Sequence, residues 1–438
     1  MEKTNVAIVG FGNIGAGVAR LLLDEGDRTA RHAGRTLWLK AVVDPDTTRP
    51  RGVDLPASLL TDDLSAVTGD ESIVVVAQLI GGIEPARTIM LKLLESGKDV
   101  VTANKALLAE HGPELFDRAR ELGRSIAFEG AVAGGIPIIS AIGASLTANH
   151  ITSIRGILNG TCNFVTTLME EQNANYQEAI GEAQARGYAE ADPTTDVTGA
   201  DAAHKLAILA QLAFGARVSW KEIPTAGIDG LDVADINWAK ELGYRIKLIA
   251  SAEVTEAGLE LNISPTLLHR GRPLAEVREA FNAVRVVGDA VGKVFFQGMG
   301  AGQMPTASAV VADMIDTVVG RAGITFQTLG LWSRKEDSAS IRLADPSATW
   351  SRYYLRYLVD DHPGVLAEIA GKLGRHQISI ASVIQHEAQK GAASGESPYV
   401  PLIIMTHAAQ EGAARQATAE IEKLDCTIGR GVCYRVMD

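Results

Sequence analysis

Residues 187–209, GYAEADPTTDVTGADAAHKLAIL, set Glu190, Asp192, Asp196 and Asp201 within twelve positions and follow them with His204, Lys205 and an apolar run. Carboxylates at that density repel one another and resist burial. The stretch is therefore either a solvated loop or a polar site at the head of a hydrophobic helix. A helix beginning near residue 198 carries Asp201 and Lys205, four positions apart, on one face. On the spacing alone this is an ordinary Asp–Lys helix pair. His204 is one residue round the helix from Lys205 and does not point at the same atom, so it reads as structural. Asp192 precedes Pro193 and belongs to a turn. Asp196 either joins the polar shell or caps the helix, with Thr198 as the rival cap.

A second constellation would bind a cofactor. In VGFGNIGAGVA, Gly10, Gly12 and Gly15 stand in G-x-G-x-x-G spacing after a β-rich run and before a helical one, with Phe11, Asn13 and Ile14 between them. Glycines so placed allow a tight turn and let a pyrophosphate approach the backbone at a helix N-terminus. Asp44, at the end of the second strand, is the candidate for the adenosine ribose hydroxyls, as NAD requires. Arg49 and Arg51 follow it and suit the 2′-phosphate of NADP. The distance from the glycines to Asp44 exceeds the usual spacing of about 20 residues, which the polar insertion DEGDRTARHAGR accounts for. NAD and NADP both remain open on this pattern.

Cys162, Cys426 and Cys433 show neither metal-ligand spacing nor an even disulfide framework and read as reduced thiols. Cys162, inside NGTCNF, has two readings: a nucleophile for aldehyde oxidation, or a small buried side chain.

These residues need a frame, and the chain supplies three kinds of pattern. Over residues 1–147, β-rich runs (NVAIVG, TLWLKAVVD, SIVVVAQ, DVVTAN, SIAFEG) alternate with amphipathic helices, the mark of a doubly wound parallel α/β domain of Rossmann type. Over 148–300 the pattern becomes a strand, several helices and then longer strands, an α+β catalytic and dimerisation domain with one open sheet. Residues 301–345 read as a Gly/Pro-rich turn and a helix returning to the first domain. Residues 351–438 give the order β-α-β-β-α-β, a ferredoxin-like module, with QKGAASGESP as a mobile loop between its second and third strands. The turn Asp361-His362-Pro363-Gly364, with Val365 after it, ends a strand at a helix start and offers backbone donors to a small carboxylate. The alternative is a dimerisation module that binds nothing.

Composition excludes several classes. A formal net charge of −12 repels nucleic acid and anionic lipid. No run reaches the roughly 18 apolar residues of a membrane span, and MEKTNVAIVGFG lacks the form of a signal peptide. The expectation is a cytoplasmic protein.

Taken together, GFGNIGAG, TANKALLA, FEGAVAGGIPII, GILNGTCNF, GYAEADPTTDVTGADAAHK and GMGAGQMPTASAVVAD resemble homoserine dehydrogenase of the monofunctional kind with a C-terminal ACT domain. The resemblance implies NAD(P)-dependent interconversion of L-homoserine and L-aspartate 4-semialdehyde. It implies Lys205 as the acid/base group with Asp201 beside it, and Glu190 on the substrate's ammonium group. Asp196, Gly160, Thr161 and Tyr188 would lie about the substrate, and Lys105, Gly187 and Gly302 near the cofactor. It further implies a sodium or potassium ion held by Glu129, Val132, Gly134 and Ile136. Asp361, His362, Gly364 and Val365 would take an amino-acid effector, threonine being the first candidate. A homodimer or homotetramer is expected, because apolar strands at a sheet edge need cover. Two rivals stand beside this reading: a semialdehyde dehydrogenase using Cys162, and a non-catalytic nucleotide sensor.

Overall fold

The structure is a computed structural model that describes residues 2–328, 341–386 and 399–437. The insertion QKGAASGESP lies outside the described residues. The chain forms two compact units: Met1–Gly160 with Asp201–Ile223 and Ala280–Ile341, and Thr161–Ala200 with Pro224–Glu279 and Arg342–Asp438.

The first unit is built on six parallel strands, β1 (Lys3–Val9), β2 (Thr36–Val43), β3 (Leu60–Thr61), β4 (Ile73–Gln78), β5 (Asp99–Thr102) and β6 (Ile126–Ala127), in the order β3-β2-β1-β4-β5-β6. Successive residues Val6, Ala7, Ile8 and Val9 are all buried. Both faces of β1 are covered, which is why its sequence is a continuous apolar run rather than an alternating one. The strand order reverses between β1 and β4, and a crevice at the carboxyl ends of such strands is where α/β sheets bind ligands. The polar insertion after the first helix (Asn13–Asp24) is itself helical, Gly26–Ala33, and ends on Gly34 in the left-handed conformation at φ 67°.

Three antiparallel strands, Ile151–Ile157, Phe281–Gly288 and Gly292–Met299, add to this unit's β-structure. Helix Gln303–Val318 then packs against Asn13–Asp24. A methyl at Gly17 would come within 2.9 Å of the Ala307 Cβ, so the close crossing depends on that glycine. Val310 and Met314 join Val6, Ile8, Val18 and Leu22 in one buried cluster. Burying such side chains is worth about 1.5–3 kcal/mol each, enough to tie the returning helix to the nucleotide fold.

In the second unit, Tyr244–Thr255 and Gly258–His269 form a long antiparallel pair. The C-terminal strands run in the order Thr427–Met437, Trp350–Asp360, Tyr399–Thr406, Ile380–Gln385, with helices Val365–Arg375 and Glu411–Ile421 on one face, as the β-α-β-β-α-β pattern requires. Arg435–Met437 pairs in parallel with Thr266–Leu268, so this module extends the sheet of its unit. Among the described residues no helix is long and apolar enough to cross a membrane.

Candidate active site

Helix Ala200–Phe214 is apolar over most of its length and buries Leu206, Ile208 and Leu209 completely. Its first turn nevertheless buries a carboxylate, and one turn later an ammonium. Asp201 is 2 % exposed and Lys205 is 7 % exposed. Buried charges persist only when paired and hydrogen-bonded, and these are. Lys205 Nζ donates to Asp201 Oδ2 at 2.7 Å and to the Leu158 carbonyl at 2.7 Å. Asn159 Nδ2 donates to the same Oδ2 at 2.8 Å. The other oxygen, Oδ1, faces Lys105 Nζ at 2.7 Å. Burial would push the Asp201 carboxyl up, but the charges of Lys205 and Lys105 outweigh it and hold the group below the usual carboxylate range. Both ammonium groups thus face this one carboxylate, one at each oxygen.

Lys105 reaches this cluster because it opens helix Lys105–Glu121 directly after β5. Asn104 fixes the turn: its side chain accepts from Leu107 N–H at 3.0 Å and donates to the carbonyls of Ile80 and Gly82 beyond β4. Unlike Lys205, Lys105 is 39 % exposed at its side chain. His204 stands aside from the pair. Its ring meets the edge of Trp220 at 4.3 Å, and burial holds its pKa below the ordinary value.

At the nucleotide motif the three glycines differ in what surrounds them. Gly10 has φ 99°, and a Cβ there would lie 2.8 Å from the Leu79 carbonyl carbon. A Cβ on Gly15 would collide with the Gly10 carbonyl oxygen. At Gly12 nothing lies within 4 Å of the Cβ position. The outer glycines are thus required by packing, while the middle one leaves the backbone approachable. Gly12 also caps helix Asn13–Asp24 without a side-chain partner, so the first N–H groups are suited to a pyrophosphate. Phe11 N–H donates to Asp44 Oδ2 at 2.6 Å. Asp44 Oδ1 accepts from Arg51 at 2.9 Å, and the guanidinium lies 5.2 Å from the Phe11 ring centroid. Arg51 therefore pairs with Asp44 itself, and Arg49 is exposed. Asn13 offers its carbonyl to Gln303 Nε2 at 3.0 Å, Ile14 is half-buried, and Gly302, with φ 122°, begins helix Gln303–Val318. These residues fit a dinucleotide.

The second unit holds most of the remaining substrate candidates. Thr161 donates its hydroxyl to the Tyr188 carbonyl at 2.6 Å, and the Tyr188 ring packs 4.9 Å from Phe164. Gly187 turns the chain before it with φ 74°. Glu190 is exposed, and its backbone carbonyl takes a bond from Gln184. Asp192 accepts from the N–H and hydroxyl of Thr194, the turn role its position before Pro193 implies. Asp196 lies within the short helix Thr194–Val197 and accepts the Cys162 Sγ–H on its carbonyl at 3.2 Å, while Thr198 donates its hydroxyl to Thr194. Cys162 is fully buried. A buried thiol bonded to a carbonyl is not an activated nucleophile. Gly160 belongs with the first unit, where a Cβ would lie 2.6 Å from the Ala280 carbonyl oxygen.

Glu129 is buried at the start of the loop that includes Val132, Gly134 and Ile136. Its carboxylate accepts from Ile139 N–H at 2.9 Å and Ser140 N–H at 2.8 Å, and burial raises its pKa. Ala133 has φ 51°, and a Cβ at Gly134 would lie 2.7 Å from the Thr306 hydroxyl. Among the described residues no group of three or more His, Cys, Asp or Glu side chains is arranged for a metal. A cation here would rest on backbone carbonyls. In the C-terminal module, Gly364, with φ 105°, starts helix Val365–Arg375. Val365 is buried, His362 is exposed, and Asp361 accepts from Gln385 at 3.4 Å.

Sequence reasoning singled out Asp201 and Lys205 from their spacing but missed Asn159 as a partner of Asp201. NGTCNF marked Asn159 only as a possible cap, and nothing in its spacing pointed forty-two residues on.

Residues 10–129 match the family described as Homoserine dehydrogenase, NAD binding domain; residues 137–315 match Homoserine dehydrogenase; and residues 353–426 match ACT domain. A homoserine dehydrogenase of Pseudomonas aeruginosa is 43 % identical over 438 residues, covering 100 % of this chain and 99 % of that protein. The crystal structure of a homoserine dehydrogenase from Thiobacillus denitrificans is similar at 40 % identity with a TM-score of 0.91, covering 100 % of this chain and 99 % of its own. A hyperthermophilic archaeal homoserine dehydrogenase in complex with NADPH is similar at 26 % identity and TM-score 0.61, covering 75 % of this chain and 99 % of its own. On matches that run from the nucleotide-binding end to the ACT domain, this chain belongs to the homoserine dehydrogenase family.

Proposed function

We propose that Lys205 is the proton-transfer group of this chain's reaction, the interconversion of L-homoserine and L-aspartate 4-semialdehyde in the biosynthesis of threonine, methionine and isoleucine. The observation that supports this most is the buried Asp201 carboxylate shared by Lys205 and Lys105 at the carboxyl side of β5. The nicotinamide cofactor supplies the hydride exchange at the carbinol carbon. In oxidation, neutral Lys205 takes the hydroxyl proton; in reduction, its ammonium returns a proton to the carbonyl oxygen. Asp201 stays ionised throughout, orients the lysine and opposes loss of its proton. Lys105 adds positive charge where the alkoxide forms. Glu190 binds the substrate's ammonium group, a charge-assisted bond only a carboxylate supplies well, with Gly160, Thr161, Tyr188 and Asp196 completing the substrate's surroundings.

Gly10, Gly12 and Gly15 receive the pyrophosphate, and Gly187 and Gly302 lend the cofactor backbone contacts. Asp44 binds the adenosine ribose, and Arg49 and Arg51 accommodate a 2′-phosphate, so the site takes NAD or NADP. Glu129, Val132, Gly134 and Ile136 hold sodium or potassium through carbonyl oxygens, the Glu129 carboxylate being committed to Ile139 and Ser140. The turn at Asp361, His362, Gly364 and Val365 takes threonine as effector, and the protein works as a homodimer or homotetramer. Homoserine oxidation followed with NAD and NADP in parallel, with and without threonine, tests the reading. Turnover with either cofactor supports it; dinucleotide binding without turnover, or a phosphate-dependent product from the semialdehyde, contradicts it.

A further inference from the structure

The shared Asp201 carboxylate raises a question that the two lysines alone do not answer: what keeps Lys205 from being held permanently protonated. A carboxylate between two ammonium groups binds their protons strongly, and an ammonium so held is a poor base. Asn159 meets the same carboxylate. Its Nδ2 lies 2.8 Å from Asp201 Oδ2, the atom that accepts from Lys205 at 2.7 Å, and the residue is 4 % exposed. A carboxylate only accepts, so the amide must present its nitrogen there.

We infer that Asn159 is a positioning residue that tunes the base: its N–H competes with the Lys205 ammonium for Asp201 Oδ2 and so weakens the carboxylate's hold on the lysine's proton. The local structure suits this role. Asn159 follows strand Ile151–Ile157 and precedes helix Gly160–Gln172, so its backbone is fixed on both sides. The neighbouring Leu158 carbonyl accepts from Lys205 Nζ at 2.7 Å. Two consecutive residues therefore hold the two ends of the Asp201–Lys205 pair, one by a carbonyl and one by an amide. Lys105, on helix Lys105–Glu121, also faces the carboxylate, and His204, on the lysine's own helix, feels the charges of Asp201, Lys205, Lys105 and Glu110. Lys105 occupies the opposite oxygen, Oδ1, which leaves Oδ2 as the atom through which Asn159 reaches Lys205.

The inference rests on Lys205 being the base, and its test separates the two. The near-isosteric Asn159→Leu removes the donor from Asp201 Oδ2. The pH at which homoserine oxidation rises should then move up by about one unit, with a roughly tenfold loss of kcat/KM near neutral pH and a smaller change above the shifted limb. Asn159→Asp, which cannot donate when ionised, should move the limb in the same direction. Asn159→Ser, with a shorter hydroxyl donor, should move it less, and it decides the question if Asn159→Leu does not fold by thermal melting. Cofactor affinity, measured by fluorescence titration, should stay within about twofold of wild type, since bonds to the cofactor are not altered. An unshifted limb in the folded variants, with kcat unchanged or lowered equally at every pH, overturns the tuning role while leaving Lys205 in place. A Lys205→Ala enzyme of normal kcat overturns the reading beneath it.

Discussion

Replacing Asp201 by asparagine changes one atom's chemistry in the middle of the cluster, and its consequences can be sized from the burial of each partner. The carboxylate is 3 % exposed and the Lys205 side chain 8 %, while Lys105 is 39 % exposed. Removing one member of a buried ion pair costs about 3–5 kcal/mol, because the remaining charge is left uncompensated. The partly solvated Lys105 adds less, since water replaces much of what it loses. Asparagine still accepts one hydrogen bond, so the lower end, about 3 kcal/mol, is expected for the first unit. The melting transition containing helix Ala200–Phe214 should fall by roughly 6–12 °C. The sign of the pH dependence follows from Asp201's folded pKa lying below its unfolded value. Its contribution is complete above the unfolded carboxylate pKa, and is lost as pH falls through the folded one. The stability gap between wild type and variant should therefore be flat from about pH 5 to 8 and narrow below about pH 4. In steady-state kinetics the variant should lose roughly 10²–10⁴-fold in kcat. Residual oxidation should rise at lower pH than in wild type, because no carboxylate holds the lysine's proton. Matched melting curves from pH 3 to 8 and kinetics in both directions make the assay. An Asp201→Asn enzyme with unaltered melting temperature, kcat and pH profile refutes the bridging role.

Glu190→Ala should chiefly raise the KM for homoserine through the lost ammonium contact, with kcat affected less; an unchanged KM removes Glu190 from substrate binding. Arg49→Ala combined with Arg51→Ala should weaken NADP by at least about tenfold more than NAD, since charge-assisted bonds to the 2′-phosphate go with it. Equal losses measured by titration would assign Arg51 to holding Asp44 alone. At the C-terminal turn, Gly364→Val places a β-branched residue at φ 105°, which is strained. Threonine inhibition should be lost while activity without threonine persists, and inhibition at the wild-type threonine concentration would remove the turn as effector site.

Much of the frame was legible because it rests on local chemistry. The alternation of apolar runs and amphipathic helices in residues 1–147 gave the parallel sheet, and the glycine spacing gave its turn, where Gly10 and Gly15 are demanded by packing. The β-α-β-β-α-β order at the C-terminus was read from period alone. Asp201 and Lys205 were legible as a pair because helix geometry converts a spacing of four into a contact. What sequence could not supply was contact between distant segments. Lys105 meets Asp201 across ninety-six positions, and Asn159 meets it across forty-two, through turns whose lengths fix nothing by themselves. The same limit hid the pairing of Arg435–Met437 with Thr266–Leu268. It also hid the return of Arg51 onto Asp44, because an arginine's reach does not reveal which of two anions it serves. Polarity misled locally as well: the stretch DEGDRTARHAGR reads as an insertion, yet it folds as a helix closed by a left-handed glycine.

Lys205→Ala, with kcat measured in both directions across pH and cofactor affinity measured separately by titration, decides whether Lys205 carries the proton. The expected result is a fall in kcat of roughly 10²–10⁴-fold, loss of the alkaline rise in homoserine oxidation, and cofactor affinity close to wild type. A variant that keeps near-normal kcat and the original alkaline rise would contradict it and turn attention to His204.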